Sequence, residues 1–300
     1  MRTRRYLCQI WPEVVLDVTD HTLLSAHWAP LGLQPGRVLR AFGMRRSGNH
    51  AIADWILRNA ASQSSVFLNN CAAGTSPLAS FRSIEINRQL HPNRKVRADL
   101  ATACAPVGDG ALVLISYEDL VPGKGKRAHS VSGDLPDSAI DADLIIYRGF
   151  LNWSASFLRK LQGNPGYGSA RRAAVLLRAI DSYSHMLSLV DIPGIVAICY
   201  DDWLASPDYR AETLAALGLE NRDNSIGQVR PYGGGSSFQK DVSDASELQA
   251  DRRWQQMKDD PDYRDILRLA ARDRALTDQL DRVFAKDAQT LQALAQGGGA

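Results

Sequence analysis

Between residues 37 and 61 the chain reads RVLRAFG, then MRRSGNH, then AIADWILRNAA. An apolar run, a polar turn bounded by Gly43 and Gly48, and a stretch with Ile52, Trp55, Ile56 and Asn59 at helical spacing demand a strand, a tight loop and a helix in direct succession. A chain that repeats this unit builds parallel strands with helices on the faces of the sheet. The repeats follow. SSVFLNN at 64–70, ALVLISYEDL at 111–120, DADLIIYR at 141–148 and GIVAICY at 194–200 read as further strands. FLNWSASFLRKL and the stretch from about 169 to 190 read as helices, and from about 245 the pattern is amphipathic and helical throughout.

The expected fold is therefore α/β: a parallel β-sheet flanked by helices, a P-loop-NTPase-like three-layer sandwich. One domain is expected over 1–300, with a core at about 37–240 and a helical C-terminal extension at about 244–295. Ligands in such sheets bind beyond the carboxyl ends of the strands. Arg45, Arg46, Asn69, Asn70, Glu118, Arg148, Tyr200 and Asp201 all fall at those ends.

Composition narrows the function classes. Thirty-five Lys and Arg face 33 Asp and Glu, a net charge of +2, so bulk electrostatics points neither to nucleic acid nor to a membrane surface. Cys8, Cys71, Cys104 and Cys199 form no C-x-x-C pair and no metal-ligand spacing; Cys104 and Cys199 read as buried thiols. No apolar run has the length of a membrane span, and the basic N-terminus lacks the apolar segment of a signal peptide. The expectation is a soluble, cytoplasmic protein with no bound metal.

GMRRSGNH has the two glycines of the Walker A pattern, but Asn49 and His50 stand where that pattern has Lys and Ser or Thr. Backbone N–H groups, the helix N-terminus, Ser47, Asn49 and the planar Arg46 fork can still hold an anion. The hydroxyl that holds magnesium is missing, and DLIIYR ends in the wrong charge for a Walker B strand. A second anion site is expected from Arg148 and Ser156, eight residues apart across a strand-to-helix junction. Two alternatives stay open at this point: a degenerate P-loop nucleotide kinase, and a non-catalytic nucleotide-binding module.

Together these features resemble the sulfotransferases that use 3′-phosphoadenosine 5′-phosphosulfate (PAPS). In that family a basic-Ser-Gly loop cradles the 5′-phosphosulfate, and an R-D-P motif with a serine eight residues on binds the 3′-phosphate. Arg46-Ser47-Gly48-Asn49-His50 and the pair Arg148 and Ser156 match, although Gly149 and Phe150 replace Asp-Pro. YDDWLASPDYRAETLAALGLE and the glycine-rich RPYGGGSSF fall in the family's order. The resemblance implies PAPS as cofactor and a hydroxyl acceptor, with carbohydrate the preferred class. It implies that Arg46 stabilises the leaving bisphosphate. Arg45, Ser47, Gly48, Asn49 and His50 would hold the 5′-phosphate; Arg148, Ser156, Arg230, Gly233 and Gly234 would hold or cover the 3′-phosphate. Glu118 is the first choice for general base, with His50 as an alternative proton-transfer group. Trp55, Trp153 and Trp203 read as core, and the RRW around Trp254 as an acceptor surface or a solvated helix face.

Overall fold

The computed structural model describes residues 26–123, 131–228, 238 and 250–296. Seven strands form one sheet: β1 (Pro35–Gly43), β2 (Ser65–Asn69), β3 (Ser83–Ile86), β4 (Gln89–His91), β5 (Ala111–Glu118), β6 (Ala142–Tyr147) and β7 (Ile195–Cys199). Their spatial order is β4-β3-β2-β5-β1-β6-β7. β2, β5, β1, β6 and β7 are parallel. β3 and β4 run antiparallel at one edge, so the sheet, expected to be parallel, is mostly so. The departure lies in SIEINRQLH, where Asn87 and Arg88 both take positive φ (48° and 64°). Two such residues make the tight hairpin turn whose twist matches the flanking strands. In sequence this stretch reads as irregular because each strand is only three or four residues long.

Alternation along the central strands sends side chains to opposite faces. Val113, Ile115 and Tyr117 of β5 enter one core while Leu112 and Leu114 enter the other. The second core is capped by α1 (Asn49–Arg58), α7 (Tyr200–Ala205) and α8 (Pro207–Ala216). There Trp55 meets Trp203 edge-on at 6.0 Å, a geometry contributing about 0.5–1.5 kcal/mol beyond area burial. The first core is covered by α5 (Phe150–Gln162), α6 (Ser169–Ser188), and the C-terminal helices α9 (Arg253–Met257), α10 (Pro261–Ala270), α11 (Arg274–Val283) and α12 (Ala285–Ala295). Three short helices, α2 (Pro77–Ser80), α3 (Asn93–Ala98) and α4 (Leu100–Cys104), fill the connection between β2 and β5.

The C-terminal helices are not an appendage to a finished core: Met257, Tyr263, Ile266, Leu276, Leu280 and Leu291 are buried within the same cluster as the sheet residues. Trp55, Trp153 and Trp203 are fully buried, and Cys104 and Cys199 are buried free thiols, as is Cys71. No helix among the described residues is long and apolar enough to cross a membrane. From β1 the chain leaves toward β2, and from the adjacent β6 it leaves the other way toward β7. That divergence opens a crevice at the carboxyl ends of β1 and β6, the place where α/β sheets take ligands.

Candidate functional site

The loop after β1 and the arginine after β6 both lie in that crevice. Met44 is buried, and Ser47 N–H donates to its carbonyl at 3.1 Å, closing a turn in which Arg46 has φ 73° and Gly48 φ 93°. A side chain at Gly48 would place Cβ 2.0 Å from the Tyr200 ring. That close approach, as well as the positive φ, requires glycine. Asn49 opens α1, but its side-chain amide donates back to the carbonyls of Gly43 (3.4 Å) and Met44 (3.2 Å). Its amide donors thus brace the loop. The Ser47 Oγ is buried and has no hydrogen-bond partner.

Arg46 turns toward α5, where its Nε donates to Ser156 Oγ at 3.2 Å. The same oxygen accepts from Arg253 Nη1 at 2.9 Å. Arg148, only 1% exposed, donates from Nη1 to the Arg46 carbonyl (3.5 Å) and from Nη2 to the Ala250 carbonyl. Its guanidinium lies 5.0 Å from the Tyr200 ring centre, a favourable cation–π distance. Arg148 and Ser156 both adjoin Arg46, which joins them to the glycine turn.

Arg253, 6% exposed, was missed by sequence reasoning, which read RRW as surface. Nothing local in that motif points to the crevice. Only the packing of α9 on α5 does so, with Arg253 N–H donating to Asn152 Oδ1 at 3.0 Å.

Among the described residues Asp201 is the carboxylate with an ion-pair contact to Arg148, at 3.6 Å from its Nε, and its other oxygen is taken by Gly149 N–H at 2.6 Å. Burial and then the charge of Arg148 lower Arg46, and the same two causes push Arg253 down to about 9. The Nε atoms of Arg148 and Arg253 are buried without a hydrogen-bond partner. Buried cations packed against one another repel, and an anion that joins them relieves that repulsion.

Asp287 comes from α12 and accepts the Leu151 N–H at 3.1 Å, so with Asp201 it occupies the N-terminus of α5. A Cβ at position 149 would lie 3.0 Å and 3.2 Å from these two carboxylates. That is a physical reason for a glycine at 149.

The other side of the loop is different. Glu118 ends β5 in register with Gly43, half-buried, and its Oε2 accepts from Asn70 Nδ2 at 3.3 Å. Burial, then the neighbouring Asp119, raises its pKa, against the opposing charges of Arg45, Arg82 and Arg46. His50 is lowered by burial and then by Arg46, so it is neutral at physiological pH. His50, Asn49, Asn69, Ser116 and Glu118 line a cavity of about 10 Å³ under α1, room for about one water.

Arg45 belongs to this side. Its N–H and guanidinium both bind Asp119, and the side chain is 56% exposed. Asn69 bonds Ser83 and Ser116. Arg230, Gly233 and Gly234 lie outside the described residues; Phe238, from the same glycine-rich stretch, has its ring 5.6 Å from the Arg253 guanidinium.

The arrangement can hold a polyanion against buried cations on one side of a turn, with a carboxylate of raised basicity on the other. Comparison with family models, with curated proteins and with solved structures finds no match.

Proposed function

We propose that the protein is a PAPS-dependent sulfotransferase on a P-loop-like sheet, acting on a hydroxyl acceptor. The observation that carries this reading is the convergence of Arg46 and Arg253 on Ser156, with Arg148 against Arg46 and all three beside a glycine turn. The orphaned Ser47 Oγ and the Nε atoms of Arg148 and Arg253 suit an anion with several oxygens.

Bound PAPS would supply an activated sulfuryl group for an in-line displacement, in which the acceptor oxygen bonds to sulfur as the bond from sulfur to the bridging phosphate oxygen breaks. Arg46 takes the charge that develops on that leaving oxygen. The backbone of the Ser47–His50 turn holds the 5′-phosphate, and Arg148, Arg253 and Ser156 hold the 3′-phosphate. Glu118 accepts the acceptor's proton; its raised pKa makes it a stronger base and moves the acid limb of the rate profile upward. His50, neutral, orients the acceptor or the 5′-phosphate by hydrogen bonding.

Calorimetric titration with adenosine 3′,5′-bisphosphate, run against ATP with and without magnesium, tests the cofactor. Magnesium-independent binding of the bisphosphate is expected, whereas preference for magnesium-ATP would return the chain to the nucleotide kinases. Glu118→Gln should lower transfer by about 10²–10⁴-fold while bisphosphate affinity stays unchanged. Equal transfer by this variant would remove Glu118 as the base.

A further inference from the structure

Next to the arginine cluster, two buried aromatic rings turn their polar atoms to the segments that carry the arginines. Trp153, on α5, is fully buried, and its indole Nε1 donates to the Arg45 carbonyl at 2.9 Å. Tyr183, on α6, is 1% exposed, and its hydroxyl donates to the Arg148 carbonyl at 2.6 Å. The two rings stack on each other with centroids 4.5 Å apart and planes inclined by 22°. Phe150 packs against both rings and Phe157 against Trp153.

Burial alone does not account for these bonds. Trp55 and Trp203 are just as buried, and their Nε1 atoms have no hydrogen-bond partner, so an enclosed indole in this fold need not find an acceptor. Trp153 finds one in the peptide that precedes Arg46. Arg46 has φ 73°, a left-handed conformation that a residue other than glycine keeps when its surroundings fix it. The peptide that follows Arg46 is held from Arg148, whose Nη1 donates to the Arg46 carbonyl at 3.5 Å. The contacts close a circuit: Trp153 to the loop, the loop to Arg148, Arg148 to Tyr183, and Tyr183 back to Trp153. Close-packed rings resist displacement, so the circuit fixes the separation of two arginines that repel.

Resting on the sulfotransferase reading above, we infer that Trp153 and Tyr183 are positioning residues. Trp153 sets the loop that holds the 5′-phosphate and directs Arg46, while Tyr183 sets Arg148 for the 3′-phosphate. Each acts through a backbone carbonyl, and their stack holds one phosphate site in register with the other. A site braced in this way has its spacing before the ligand arrives, which recognition of two phosphates on one nucleotide rewards.

The test titrates full-length variants calorimetrically with two probes, adenosine 3′,5′-bisphosphate and adenosine 5′-phosphate. Tyr183→Phe removes one oxygen and keeps the stack. It should weaken the bisphosphate about tenfold and leave adenosine 5′-phosphate unchanged, so the preference for the second phosphate falls by the same factor. Trp153→Phe should weaken both probes by about tenfold or more. Tyr263→Phe is the control. That tyrosine is just as buried and donates to the Leu151 carbonyl at 2.8 Å, on the same α5 but away from both arginines' peptides. It should lower the unfolding midpoint as Tyr183→Phe does and leave both affinities intact.

An unchanged bisphosphate affinity in Tyr183→Phe overturns the inference. So does an equal loss for the two probes in that variant, or an equal loss in Tyr263→Phe, because either makes the pair ordinary core. Tyr183→Phe decides the matter by itself where Trp153→Phe does not fold. These outcomes leave the cofactor reading standing, since the parent binds the bisphosphate in each of them. If the parent does not bind it, the cofactor reading falls and the inference falls with it.

Discussion

Arg40 and Arg253 are both buried arginines of this domain, at 5% and 6% exposure, yet they are held in opposite ways. Arg40, on β1, is gripped by both oxygens of Asp143 (2.6 and 2.8 Å), by Asp137 (2.7 Å) and by Ser132 (3.2 Å). Burial alone would lower it, but the hydrogen bonds and charges of Asp143 and Asp137 raise it instead. Arg253 has Ser156 as its side-chain hydrogen-bond partner, lies in the field of Arg148 and Arg46, and is pushed down to about 9. One arginine is finished by the protein, whereas the other is left for something else to finish. A buried cation with its own carboxylates fastens structure; one surrounded by further cations marks a place for an anion.

The largest expected effect lies on the finished side. Arg40→Met strands Asp143 and should cost about 3 kcal/mol of stability in urea unfolding, with bisphosphate affinity unchanged in the fraction that folds. Arg253→Met should do the reverse. Removing one of several like charges should leave ligand-free stability unchanged or raised by up to about 1 kcal/mol, while bisphosphate affinity falls about 50-fold. If both variants destabilise alike, the contrast is false and Arg253 is structural.

A smaller effect comes from Asp287, the half-buried acid beside the cluster. Burial is the first cause of its rise from 3.8 to about 6, and Asp201 adds to it. Because the folded value lies above the unfolded one, stability from this group is fully present below 3.8 and is lost as pH rises through 6. Asp287→Asn still offers an acceptor to the Leu151 N–H. It should gain about 1–2 kcal/mol over the parent at about pH 7.5 and lose that gain by about pH 4, read from unfolding curves at each pH.

Much of the sheet was legible because each central strand is a continuous apolar run followed by helical spacing, and RVLRAFG, ALVLISY, DLIIY and IVAIC all became strands. The β3-β4 hairpin was not, because strands of three and four residues carry too few alternations to be seen and their pairing rests on the edge of β2. Arg148 and Ser156 were legible as a pair from spacing; that Arg46 joins them was not. The inward turn of the Asn49 amide, the outward turn of Arg45 to Asp119, and the arrival of Arg253 were not. Each depends on a partner distant in the chain or on a loop conformation that no residue type dictates.

By itself, then, the sequence determined the succession of strands and helices, the glycine turn after β1, and which end of the sheet would carry polar groups. Period and turn chemistry are local, and residues next to one another suffice to set them. Tertiary structure alone decided which arginines are neutralised. That depends on the carboxylates brought within hydrogen-bond reach from 97 to 103 residues away at Arg40, and on how few are brought to Arg148 and Arg253. Charge balance in a buried site is a sum over neighbours in space, and the chain's overall +2 contains no trace of it.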